Sequence, residues 1–241
     1  MLMKKVFAGV FMSACTLHAA AEEKAAPPPG TWTGEAELGL LYTSGNTESD
    51  TVNGKAKIGT EIEKWRHAAE VSALKSSDQT GTTAQRYEAK GQSDYKFAEK
   101  EYFFGLLTYE DDRFSGYDYR ATVAAGYGRR VYNNNDMTLD LEVGPGLRHY
   151  KITNGKSDSE FLARGAAKYV WAITKTSKFT EDLTVESSSD ATISKSVTAL
   201  SSKINGDLAM KLSYTIKHTS DVPPGIEKTD TETAITLVYS Y

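Results

Sequence analysis

The side chains best placed to do chemistry in this 241-residue chain are charged ones that recur at every second position beside uncharged neighbours. Glu35, Glu37, Lys55, Lys57, Glu61, Arg86, Glu88, Lys90, Asp94, Arg120, Asp140, Glu142, Arg148, Arg164 and Lys168 all fall on the polar face of a segment with a period of two. Both signs occur in similar number. Charges turned to an interior need water or partners. The set therefore implies either a wet pore of modest selectivity or a ladder of ion pairs that plugs the interior, and the residues alone leave both open.

Other constellations carry less. His218-Thr219-Ser220 has a spacing that could pair a base with a serine nucleophile. Such a nucleophile needs a base within hydrogen-bond reach and a third group to orient that base. No matching Asn or Asp environment accompanies it, and residues from 219 onward read as loop, so His218 reads as an interfacial histidine. His67 and His149 fall on apolar faces near strand ends without metal-ligand spacing. Asp111-Asp112-Arg113 with Arg120 mixes charges around one loop, which suits a gate or ion site as well as a salt-bridged loop. Gly126-Tyr-Gly128 lies inside a strand with no helix after it, so it is no nucleotide fingerprint. Those glycines suit bending or close packing in the wall. No catalytic, cofactor-binding or metal-ligating residue is assigned.

The elements that must position the charges are strands. In residues 31–42, Trp32, Gly34, Ala36, Leu38, Leu40 and Tyr42 share one face while Glu35 and Glu37 take the other. Ten steps of about 3.3 Å, tilted by about 40°, project to roughly 25 Å, the height of the apolar band of a membrane barrel. Similar alternation marks residues 51–62, 84–97, 137–150, 208–218 and 229–241. Residues 102–111 show no clear phase, residues 192–204 are merely polar, and Arg129 and Glu181 sit on the apolar face near strand ends. About twelve strands result. Short connections (63–65, 98–101, 132–136, 174–177, and Asn205-Gly206 as a two-residue hairpin) alternate with longer ones (43–50, 75–83, 112–118, 151–159, 187–191, 219–228). An even number of strands leaves both termini at one end.

The N-terminus sets the compartment. Two lysines, a largely apolar run over residues 6–17 and Ala19-Ala20-Ala21 form a secretory signal peptide over residues 1–21, too short to span a membrane as a helix. A lipoprotein reading, with Cys15 acylated, fits less well because Met12 suits its first position poorly. Residues 22–30 read as a short disordered leader and residues 31–241 as one domain. Cys15 is the only cysteine, so the mature chain can form neither a disulfide framework nor a thiolate metal site. Loss of Lys4 and Lys5 leaves 26 basic residues against 32 acidic ones, with no basic cluster, which argues against nucleic acid as a partner.

A hydrophobic content of 39% also permits a soluble barrel or sandwich whose uncharged face is a core. Residue size argues otherwise. The uncharged faces are rich in Gly, Ala, Thr and Tyr and poor in the Leu, Ile and Phe that fill a core densely. Twelve strands also enclose more space than such side chains fill. The expected fold is therefore all-β, a transmembrane antiparallel up-and-down barrel with lipid outside.

Trp32-Thr-Gly34, Ser44-Gly45-Asn46-Thr47, Asp112-Arg113-Phe114-Ser-Gly116 with Tyr119-Arg120, Gly126-Tyr-Gly128, Gly144-Pro-Gly146 and Pro223-Pro224-Gly225 occur in this order. Together they resemble the salt-induced outer-membrane proteins (YdiY-like), a domain of unknown function, over nearly the whole mature chain. The resemblance implies an outer-membrane barrel and supplies no activity; with the inward-facing charges, the role is that of a small-solute or ion channel, which the family's name would tie to salt or osmotic conditions, or of a non-conducting structural or surface-interaction barrel. It carries over no catalytic residue. His218-x-Ser220 matches the spacing of the outer-membrane phospholipase family, but nothing else of that family's pattern is present. The final strand, ending in Tyr241, resembles those that outer-membrane barrels present to their assembly machinery, which implies that machinery and outer-membrane lipid as partners.

Overall fold

A computed structural model describes residues 30–44, 49–78, 81–113 and 115–241. The expected signal peptide, the leader up to Pro29, and Gly45, Asn46, Thr47 and Phe114 of the quoted motifs lie outside the described residues. The described chain runs through β1 (Trp32–Ser44), β2 (Ser49–Ile62), β3 (Trp65–Asp78), β4 (Gly81–Lys96), β5 (Glu101–Asp112), β6 (Tyr117–Asn133), β7 (Met137–Ile152), β8 (Ser157–Ala172), β9 (Ser177–Ser188), β10 (Thr192–Asn205), β11 (Leu208–Thr219) and β12 (Thr229–Ser240). Each strand pairs antiparallel with its sequence neighbours, and β1 also pairs with β12. The sheet is a closed up-and-down barrel, which leaves no strand edge to aggregate. Both ends of the described chain meet at one rim, here the terminal end; the opposite rim is the loop end.

The connections depart from expectation. Residues 75–78 continue β3 and residues 81–83 belong to β4, so the long loop expected at 75–83 is mostly hairpin. The Ser and Thr residues of this stretch carry no apolar alternation from which a strand could be read. Among the described residues only 220–228 form a long loop, so short and long connections do not alternate cleanly there. The expected Asn205-Gly206 turn moves by one residue: a bulge near Lys203 keeps Asn205 in the ladder opposite Leu208, and Gly206 turns with φ of +20°.

The seam between β1 and β12 has a specific lock. Gly34 and Tyr241 exchange two backbone hydrogen bonds of 3.2 and 3.0 Å. The Tyr241 ring lies where a side chain on residue 34 would go, so a Cβ there would meet it at 2.1 Å. That contact accounts for the glycine in Trp32-Thr-Gly34.

The outward face is apolar and open. Leu38, Val143 and Phe161 are 69%, 62% and 84% exposed. Rings gather at both rims. At the terminal end Trp65 packs against Tyr95, Phe97 stacks on Phe103 and Tyr239 on Tyr241; at the loop end Tyr109, Tyr119 and His149 form a row. An apolar band between two aromatic girdles is the exterior of a membrane-spanning barrel.

The strand without a clear phase proves to be apolar on both faces. Phe103 and Leu107 point out, whereas Tyr102, Phe104 and Leu106 are buried inside with Ala124 of β6. Glycines make room for these rings. A Cβ on Gly128 would meet the Tyr102 ring at 2.3 Å, and one on Gly126 would meet the Val143 carbonyl at 2.2 Å and Phe104 at 2.9 Å. Around Pro145, which has no N–H to give, the β6–β7 ladder is interrupted between Ala124–Gly146 and Tyr127–Val143 without a change of register. Gly126 and Gly144 approach each other there, so the pair packs closely, which is one of the two roles expected for these glycines.

Candidate functional site

Alternation on closed strands turns the charges inward, where they sort into three groups. The first lies against β7 and β8. Glu142 accepts hydrogen bonds from Gln92 (2.8 Å), Arg164 (3.1 Å), Lys168 (3.2 Å) and the Tyr102 hydroxyl (3.2 Å). Arg164 is buried, lies 5.5 Å over the Phe104 ring and reaches Glu186 at 3.8 Å. Arg148 joins Glu160 (2.8 Å) to the same Glu186 (2.5 Å). Nearer the terminal end, Asp140 takes a two-pronged contact from Arg130 (2.6 and 2.8 Å), and Asp94 is held by Arg66 (2.7 Å) and Gln92 (2.9 Å). This group is a fixed ion-pair scaffold with the apolar cluster packed on it.

The second group crosses the interior toward the loop end. Lys217 of β11 donates to both oxygens of Glu110 on β5, at 2.8 and 3.1 Å, and Arg120 holds the same carboxylate. Lys195 of β10 lies 3.6 Å from Glu88 on β4. In a ring of twelve, β5 and β11 stand opposite each other, as do β4 and β10. Arg86 also crosses from β4 to Glu232 on β12. Ion pairs between facing walls narrow a lumen in a way that pairs along one wall do not.

The third group lines a cavity of about 810 Å³ between the terminal end and that crossing layer. Glu35, Glu37, Lys55, Lys57, Lys90 and Lys168 belong to its wall, together with Arg86, Glu88, Asp94 and Asp140. Lys55 pairs with Glu70 at 3.0 Å and Lys211 with Glu37. Buried Asn53 Oδ1 and Thr236 Oγ1 on this wall have no protein partner. The charged side chains that line the cavity need water or partners, and those without an ion pair make it a water-filled space. Glu61 stands apart at the terminal rim, paired with Lys96 at 2.5 Å.

Sequence reasoning left out Arg66, Glu70, Glu110, Arg130, Glu160, Glu186, Lys195, Lys211, Lys217 and Glu232, all partners in these networks. Alternation would have found Lys211, Lys217 and Glu232, which sit opposite plainly apolar faces. Glu110 was hidden because β5 has no visible phase. His218 and Ser220 are not brought together: His218 Nδ1 meets the Thr229 hydroxyl at 2.8 Å, and Ser220 Oγ accepts the Thr192 N–H at 2.8 Å. His67 stacks on Trp65 and bonds Ser93, and His149 bonds Ser159 and Tyr119, so both belong to the girdles. Arg129 lies on the outside near Glu101, and Glu181 accepts from the Ser196 and Thr198 hydroxyls at 2.6 and 2.5 Å.

Among solved structures, the barrel is similar to the NanC porin, with a TM-score of 0.57 and 12% identity over 85% of this chain and 98% of that one. It is also similar to the translocator domain of the autotransporter NalP from Neisseria meningitidis, with a TM-score of 0.55 and 12% identity over 89% and 90%. At these identities the likeness is one of fold: a transmembrane antiparallel barrel. In sequence the chain is 31% identical to the uncharacterized protein YdiY of Escherichia coli (strain K12) over 213 residues, which cover 86% of this chain and 82% of that protein. A family model described as "Protein of unknown function, DUF481" matches residues 36–241, and the chain belongs to that family.

Proposed function

We propose that this protein is an outer-membrane channel for small hydrophilic solutes, closed at rest by ion pairs that cross its bore. A cleaved signal peptide delivers it, its terminal end faces the periplasm, and its last strand engages the assembly machinery. The observation that carries the reading is the wet, charged cavity that stops at the Lys217–Glu110 and Lys195–Glu88 crossings. Such crossings also supply a physical route to salt dependence. The screening length falls from about 10 Å at 0.1 M salt to about 3 Å at 1 M, so charges reached by water loosen as salt rises.

Planar-bilayer recording tests this. The native barrel is expected to give rare, small openings, and the Glu110→Gln, Lys217→Met double variant long and larger ones. Silence from both proteins would overturn the proposal. It would favour a structural barrel with a plugged lumen, a second reading supported by Tyr102, Phe104, Leu106 and Ala124 packed inside the wall.

A further inference from the structure

The cavity wall carries a charge of the opposite sign to the chain. Twelve Lys and Arg side chains line it against eight Asp and Glu, in a protein with 28 basic and 32 acidic residues. Glu142, which meets Lys168 from behind the wall, offsets only one of the four. The excess has identifiable sources. Among the described residues of the wall Lys57, Lys90, Lys175, Lys178 and Lys203 make no ion pair, whereas Glu35 and Asp182 are its unpaired acids. Glu35, Lys57, Glu70 and Lys90 lie on one row across β1 to β4; Glu70 is already committed to Lys55, and Glu35 stands opposite Lys57 without an ion-pair contact to it. Around Lys90, Lys168 and Arg164 stand against Glu70 and Asp182, so the two acids near it are matched by two further cations. Lys178 and Lys203 sit near the terminal mouth, where Lys203 N–H bonds the Thr176 carbonyl.

We infer that this cavity is a binding vestibule for small polyanionic solutes, those bearing two or more carboxylate or phosphate groups, which enter past Lys178 and Lys203 and settle against Lys57 and Lys90. Low-dielectric walls around a water-filled space focus such a field, so unpaired ammonium groups act on a solute more strongly than they would in bulk water. A cation meets the reverse field, and its carboxylate partners are mostly occupied. The inference deepens the channel reading, because it names the class of solute, but binding requires no opening of the crossing ion pairs.

That independence shapes the test. The full barrel in detergent micelles is titrated calorimetrically with citrate and, separately, with spermidine at matched ionic strength. Citrate is expected to bind and spermidine not to. The Lys57→Gln, Lys90→Gln double variant should bind citrate at least about tenfold more weakly, since each removed charge acts across a partly desolvated gap. Glu35→Gln, which removes an unpaired acid, should tighten citrate binding and serves as a second variant if the first fails to fold; heat-dependent gel mobility reports folding of both. Absence of citrate binding, preference for spermidine, or citrate binding unchanged in a folded double variant would each overturn the inference. Citrate binding by a barrel that never conducts would uphold the vestibule and sink the channel; conduction without citrate binding would do the opposite.

Discussion

Lys217 and Glu110 stand on strands six apart in a ring of twelve, and the ammonium reaches both carboxylate oxygens, at 2.8 and 3.1 Å. A contact of this kind reports the distance between opposite walls. It also couples them: whatever separates β5 from β11 breaks the pair.

If the pair closes the bore, exchanging its ends should restore part of the closure. Glu110→Lys and Lys217→Glu alone should each leave a leaky barrel, because like charges then face each other across the lumen. The exchanged double variant should leak less than either, though more than the native barrel, because Arg120, which holds the native carboxylate, then meets the introduced ammonium. Uptake of a small dye into liposomes carrying each variant checks this, and a leak in the exchanged form equal to the single variants would count against it.

Arg164 is the deepest charge and serves Glu142 and Glu186. Arg164→Met should cost on the order of 3–5 kcal/mol, the range for removing one partner of a buried pair. Adding Glu142→Gln should recover only part of that loss, because Lys168, Gln92 and Tyr102 also donate to that carboxylate. Urea unfolding of both variants from phospholipid vesicles measures the difference.

Glycines in the wall should divide sharply. Gly126→Ala puts a Cβ 2.2 Å from a backbone carbonyl and should abolish the folded, heat-sensitive gel band. Gly91→Ala meets nothing within 4 Å. It should leave the barrel intact or stabilise it by roughly 0.5–1 kcal/mol, since glycine loses the most backbone freedom on folding. Equal bands for the two variants would contradict the packing described for β6 and β7.

Lipid outside the wall makes a numerical claim. Val123, 57% exposed on the outward face of β6, should cost about 2–4 kcal/mol when changed to Arg, the penalty near a bilayer midplane. A barrel with water on that face would lose almost nothing. Folding free energies into vesicles distinguish the two.

Alternation made most of this architecture legible. Glu35 and Glu37 against Leu38, or Leu208 to Ile216 against Lys211 and Lys217, can be read directly because the two faces meet different solvents. The pattern failed where both faces are apolar. Tyr102, Phe104 and Leu106 look outward-facing by composition, and only the glycines beneath Tyr102 and Phe104 hint that rings sit inside. Loop lengths failed for the opposite reason: beyond the lipid band both faces are wet, so a strand there has no alternation to show. Which charges cross the lumen was not legible at all. That depends on which strands stand opposite, a property of closure rather than of any one segment.

The Gly34–Tyr241 lock joins residues separated by nearly the whole folded chain. Bringing such distant segments together is the entropically most demanding step available to a sheet whose other pairs are all hairpins. The zipper should therefore run through eleven local joins before the twelfth can form. Until the tyrosine settles over the glycine, the polypeptide is an open ribbon with two bare borders, and those borders are where a helper or a misdirected neighbour would take hold.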